Sequence, residues 1–189
     1  MRAFEHRHGI TATFGGRHPG VGTANAITAV GSRQYLELIA VVDVDEAERG
    51  ERGRRLQRAL AKGETFATWV LRTDDLETVR SVLDEQGQIM PGARERPDGT
   101  RLEWRTLDLR AADAGSGIPF LISWGGAAHP GAGGDGRVTR LAFEDAAAGP
   151  LRALLDRVEI DVDYDIRDGY APRLLQVDVE LGGRSLTIG

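Results

Sequence analysis

Cysteine is absent from the 189 residues, and lysine occurs once, at Lys62. The first absence excludes thiol nucleophiles, disulfides and thiolate-bound metals together, so any metal must rest on His, Asp or Glu. The second leaves Schiff-base chemistry to one residue in a polar stretch, and that mechanism is set aside. No apolar run approaches the roughly 18 residues of a membrane span, and Met1 to Gly9 is charged, without the hydrophobic segment of a secretory signal. A cytoplasmic protein with no membrane partner is expected. Positive charge is not in excess either: the formal net charge is -5 with both signs interspersed, which gives no footprint for a phosphate backbone. Nucleic acid is therefore not an expected partner. Gly20-Val21-Gly22 lacks the strand, spacing and acidic residue of a dinucleotide fingerprint, and no phosphate-binding lysine loop occurs, so no nucleotide cofactor is expected. Ser116 and Ser123 have no esterase elbow around them.

What is present is the composition of an ordinary folded protein, 41% hydrophobic and 28% charged. A helical stub over residues 1–8 leads into three strands, over 10–14, 23–30 and 34–42, with a glycine-rich bend between the first two. Residues 44–65 are charged, carry a weak helical stripe and read as a connector. A strand over 66–72 then precedes a helix opened by Asp74-Asp75-Leu76, with Leu76, Val79, Val82 and Leu83 at helical spacing and Gly87 beyond its end. Residues 91–100 read as a turn-rich arm, because Pro91 and Pro97-Asp98-Gly99 interrupt any pattern. Two strands follow, over 101–109 and 118–124.

Gly, Ala and Pro dominate residues 125–136, the clearest boundary in the chain. Beyond it the order strand, helix, strand, strand, strand recurs. The expected organisation is a first module over 1–43, the connector 44–65, a second module over 66–126, a flexible linker at 127–136 and a third βαβββ-like unit over 137–189. The predicted fold class is α+β: repeated βαβββ modules whose curved mixed sheets form a cleft, with helices on the outer face.

Glu37 lies in the apolar run Tyr35-Leu36-Glu37-Leu38-Ile39, where strand parity puts Tyr35, Glu37 and Ile39 on one face. An unpaired carboxylate in such a run costs several kcal/mol, on the order of what burial of a lone polar group costs, so Glu37 requires a partner, a metal or a wet cavity. His18 stands in the bend between Arg17 and Pro19, facing the cleft or fixing the turn. Thr23 and Asn25 follow it, able to orient a substrate carbonyl or to build the turn. Trp69, Trp104 and Trp124 fall on three predicted strands, as pocket walls or as core. His129 sits in the glycine-rich flap, either closing over a substrate or on the surface.

Several phrases resemble the glyoxalase-like domains of the vicinal-oxygen-chelate (glyoxalase, bleomycin resistance, dioxygenase) superfamily. They are Gly16-Arg17-His18-Pro19-Gly20 with Gly22-Thr23-Ala24-Asn25, Tyr35-Leu36-Glu37-Leu38-Ile39, Trp69-Val70-Leu71-Arg72-Thr73-Asp74-Asp75-Leu76, Arg96-Pro97-Asp98-Gly99-Thr100, and Pro119-Phe120-Leu121-Ile122-Ser123-Trp124 with His129-Pro130. The resemblance implies a cup for a small-molecule ligand, with Glu37 as metal ligand or base, His18 as ligand or acid, and Thr23, Asn25, Tyr35, the three tryptophans and His129 as substrate contacts. It implies a divalent metal ion as cofactor if the protein is an enzyme of lyase, isomerase or dioxygenase type. The alternative that the same resemblance implies is a non-catalytic protein that sequesters planar compounds without metal. Members of the family usually carry a strand with a histidine ahead of the helix, and here that strand is not seen; the open edge makes a homodimer an expectation.

Overall fold

A computed structural model describes residues 1–96 and 98–189; Pro97, part of one of the phrases above, lies outside the described residues. The first half opens with α1 (Arg2–His8), which ends where Gly9 takes a left-handed φ of 66°. Then come β1 (Thr13–His18), β2 (Thr23–Gly31) and β3 (Gln34–Val41), joined as antiparallel hairpins. The first strand lies later than the 10–14 expected. Ile10 and Ala12 are buried ahead of it, so apolar burial there reflects an extended lead-in rather than ladder pairing.

The expected connector is two helices, α2 (Val44–Arg49) and α3 (Glu51–Ala61). Asp43 caps the first by accepting a hydrogen bond from the Glu46 N–H at 2.9 Å. In α3, Gly53, Leu56 and Ala59 form the buried stripe. The second half runs β4 (Val70–Arg72), α4 (Leu76–Val82), β5 (Ile89–Glu95), β6 (Arg101–Asp108) and β7 (Phe120–Ser123). Asp75 caps α4 by accepting from the Thr78 N–H.

These two halves form one seven-stranded sheet, ordered β3-β2-β1-β5-β6-β7-β4 and strongly curled into a half-barrel. β4 pairs parallel with β7, and the remaining neighbours are antiparallel. The halves meet at a narrow seam where Arg17 pairs with Glu95. Gly16, at φ 136°, makes this seam possible: a Cβ there would stand 1.9 Å from the Glu95 carbonyl oxygen.

Residues 91–100 depart most from the sequence expectation, because five of them belong to β5. Pro91 is tolerated within the β5–β6 ladder opposite Arg105, so the proline read as a turn signal sits inside a strand.

The last unit comprises β8 (Arg137–Asp145), α5 (Pro150–Leu155), β9 (Asp163–Asp168), β10 (Arg173–Leu181) and β11 (Arg184–Ile188). The element order of the second half recurs, but the pairing order β11-β10-β8-β9 differs from it. This second sheet packs on the outer side of the curled sheet. One continuous core joins Val30, Leu76, Leu107 and Leu121 to Leu141, Phe143, Leu151, Val177 and Val179. Leu107 and Leu121 have the opposite parity to Trp104, Ile122 and Trp124, whose side chains form a separate inner cluster. The third unit is thus a buttress behind the sheet, and the concave side stays open.

Candidate functional site

The concave side encloses a cavity of about 860 Å³. Its lining includes His18, Thr23 and Asn25 of the first hairpin, Tyr35, Glu37 and Ile39 of β3, Arg94 of β5, Trp104 of β6, and Phe120, Ile122 and Trp124. Hence the parity read from the sequence, Tyr35-Glu37-Ile39 on one face, is the parity of the cavity wall.

A polar cluster occupies one end. Asn25, 5% exposed, holds it together. The Arg94 guanidinium donates from Nη1 to Asn25 Oδ1 at 3.0 Å, which fixes the amide orientation and turns Nδ2 toward the other side. Nδ2 donates to Glu37 Oε1 at 2.8 Å and faces His18 Nε2 at 3.4 Å. Since the amide nitrogen can only donate, His18 Nε2 is the acceptor, and its Nδ1–H donates to Thr23 Oγ1 at 2.8 Å. His18 Nε2 and Glu37 Oε1 stand 4.0 Å apart.

Burial governs the ionisation of this cluster. Desolvation, aided by the charges of Arg94 and Arg52, pushes the His18 imidazole down to about 4, so the ring is neutral at pH 7. The Glu37 carboxyl is pushed up by desolvation, partly offset by the Asn25 hydrogen bond and the Arg94 charge. Its side chain keeps 28% of its surface exposed, because water reaches it through the cavity mouth although protein surrounds it. Tyr35 is raised well above the ordinary phenol range by burial and by its neighbour Glu37.

Aromatic rings adjoin this cluster in the same lining. Trp104 and Trp124 lie 5.3 Å apart between ring centroids, His18 meets Trp104 edge-on at 6.0 Å, and Tyr35 meets Trp124 edge-on at 6.4 Å. Trp104 lies across Gly92, its direct cross-strand partner, where any Cβ would come within 2.2 Å of the indole nitrogen. Arg52 stacks over Phe120 at 4.8 Å and pairs with Asp108 at the rim.

Two of the residues expected as substrate contacts stand apart from this lining. Trp69 is on the outer side of the sheet, packed on Phe143 at 5.2 Å and donating from its indole N–H to the Gly117 carbonyl at 2.7 Å, which makes it a core residue. His129 lies outside the lining, edge-on to Tyr35 and Trp124, and accepts the Gly131 N–H at 3.0 Å. Burial lowers its basicity. It braces the two rings. Arg94, in contrast, was not anticipated: the alternation Met90, Gly92, Arg94 carried its signal, hidden by Pro91.

A divalent ion at Glu37 requires converging lone pairs. His18 Nε2 and Glu37 Oε1 both face hydrogens of the Asn25 amide, a guanidinium cation stands behind that amide, and no third His, Asp or Glu joins them among the described residues. This donor set, as arranged, does not fit the ion.

A family model described as a glyoxalase-like domain matches residues 1–158. Among solved structures, the crystal structure of a hypothetical protein from Staphylococcus aureus superimposes with a TM-score of 0.72 at 17% identity, covering 93% of this chain and 84% of that one. At that identity the likeness speaks for the fold. No curated protein matches the chain. Among the described residues no helix is long and apolar enough to cross a membrane. The match over residues 1–158, together with a curled sheet built from paired modules, places the chain in the glyoxalase-like domain family of the vicinal-oxygen-chelate superfamily.

Proposed function

We propose that this protein binds a small planar molecule in the cup between its two modules, stacking it against Trp104 and Trp124 and orienting it by hydrogen bonds to the His18–Asn25–Glu37 cluster. The observation that carries this reading is the make-up of the cavity, in which indole rings 5.3 Å apart adjoin a hydrogen-bonded polar cluster. An apolar wall with a few convergent polar groups is the usual build of a small-molecule site. Family membership supports the same class of function.

A catalytic version of this reading is favoured by one further observation. His18 Nε2 and Glu37 Oε1 stand 4.0 Å apart on the cavity lining, the imidazole held neutral by burial and the Glu37 carboxyl raised by burial above its ordinary basicity, so a neutral hydrogen-bonding ring stands beside a carboxyl group strengthened as a proton acceptor. Such a pair supports proton transfer on a bound carbonyl compound without a metal step.

Intrinsic tryptophan fluorescence tests the binding. Titration with planar aromatic compounds quenches the wild-type signal, and Trp104→Leu weakens the quenching ligand about tenfold, the order of one lost aromatic contact. Glu37→Gln keeps the side-chain shape and preserves binding within a few fold, while removing turnover if the catalytic version holds. Quenching that Trp104→Leu leaves unchanged would contradict the cup as the binding site.

A further inference from the structure

We propose that the ligand of this cup carries a carboxylate, received by Arg94; this rests on the reading of the cup as a small-molecule site and names the class of molecule it takes. Among the described residues, two buried side-chain polar atoms lack a hydrogen-bond partner, Arg94 Nε and Trp124 Nε1. Both are donors, and both residues line the one cavity of about 860 Å³. Each is 7% exposed. Buried donors are nearly always paired, so two orphans on side chains that line the same hollow point to an acceptor that the protein itself does not provide.

The charges around the cavity agree. Arg52 pairs with Asp108 at 2.5 Å, Arg101 with Glu103 at 2.9 Å, Arg105 with Glu77 at 2.5 Å, and Arg55 with Asp113 at 3.1 Å. Arg94 differs from them. Its one hydrogen bond among the described residues runs from Nη1 to the neutral amide of Asn25, and Glu37 takes the other end of that amide instead of the guanidinium. The second edge of the guanidinium fork, Nε–H with Nη2–H, has no acceptor among the described residues. Two parallel N–H groups match the two oxygens of a carboxylate. The fork is also positioned by the backbone: a Cβ at Gly15 would stand 2.2 Å from Arg94 Nη1, so glycine there makes the space that the guanidinium fills. With Trp104 on the neighbouring strand β6 and Trp124 lining the same cavity, the ligand class is a planar acid, its ring on the indoles and its carboxylate on Arg94.

Calorimetric titration of the full chain with 2-naphthoate and its uncharged isostere 2-naphthamide tests this. The wild type binds naphthoate at least about tenfold more tightly, the order expected of hydrogen bonds to a charged group. In Arg94→Met the ratio of the two affinities falls to about one. Arg94→Lys keeps the charge but loses the fork, so it retains only part of the preference; it decides the matter if the methionine variant fails to fold by circular dichroism. Equal wild-type affinities for the two probes overturn the carboxylate inference and leave the cup standing as a binding site. Binding of neither probe overturns both.

Discussion

Asn25 is the residue on which the polar cluster turns. It accepts from a guanidinium and donates to a carboxyl, so a cation and an acid are separated by one amide instead of forming an ion pair. This leaves both groups available to a ligand while satisfying the amide that lies between them. His18 responds to the same surroundings: its ring is neutral in the fold, held near 4 against 6.5 in the unfolded chain. The sign follows from linkage. A depressed folded-state value gives stability that is complete above 6.5, falls as pH drops and is lost by about 4, a difference of roughly 3 kcal/mol. Glu37 has the opposite sign, since its raised value gives stability that is complete below 4.5 and lost as pH rises through the folded value. Comparison with His18→Gln at each pH isolates the histidine. Urea unfolding should show the wild type losing roughly 3 kcal/mol relative to the variant between pH 7 and pH 4. A difference that is the same at both pH values would place the imidazole outside the buried cluster. Glu37 itself was legible in the sequence because a lone carboxylate in an apolar strand is a physical anomaly. Arg94 was not, because an arginine among arginines is ordinary until burial sets it apart.

At the scale of elements, the site depends on β1 meeting β5, and that meeting depends on glycine. Gly15 leaves room for the Arg94 guanidinium and the Asn25 amide, and Gly16 lets the backbones of the two halves approach. Hairpin β2–β3 was readable from alternation, and its observed bounds differ little from the expected ones. Strand β5 was not, since local turn signals at Pro91 outweighed an alternation whose stabilisation comes from β6 across the sheet, a tertiary effect that local propensity does not contain. The seam makes its own prediction. Gly15→Ala puts a methyl 2.2 Å from Arg94 Nη1 and 2.4 Å from Asn25 Oδ1, forcing the two apart. A cost of about 1–3 kcal/mol in denaturant unfolding is expected, as for other overpacked interiors. An unchanged midpoint would mean that the guanidinium yields freely and is not held where the carboxylate proposal requires it.

The whole molecule is a curled sheet with a filled convex side and an open concave one. Sequence periodicity anticipated much of the strand and helix order, β5 and the helices α2 and α3 excepted, and the resemblance anticipated the cup; the role of residues 137–189 as a buttress came only with the packing of Phe143 and Val179 against the outer core. The three tryptophans report on this division, because Trp104 and Trp124 line the cavity while Trp69 packs on Phe143 behind the sheet. The most direct measurement is therefore the set of indole N–H resonances in a ¹H–¹⁵N spectrum during titration with 2-naphthoate. Saturable shifts of the Trp104 and Trp124 signals, with Trp69 unmoved, are the predicted result. Shifts confined to Trp69, or three unmoved signals in the presence of a bound ligand, would contradict the concave face as the place where this protein acts.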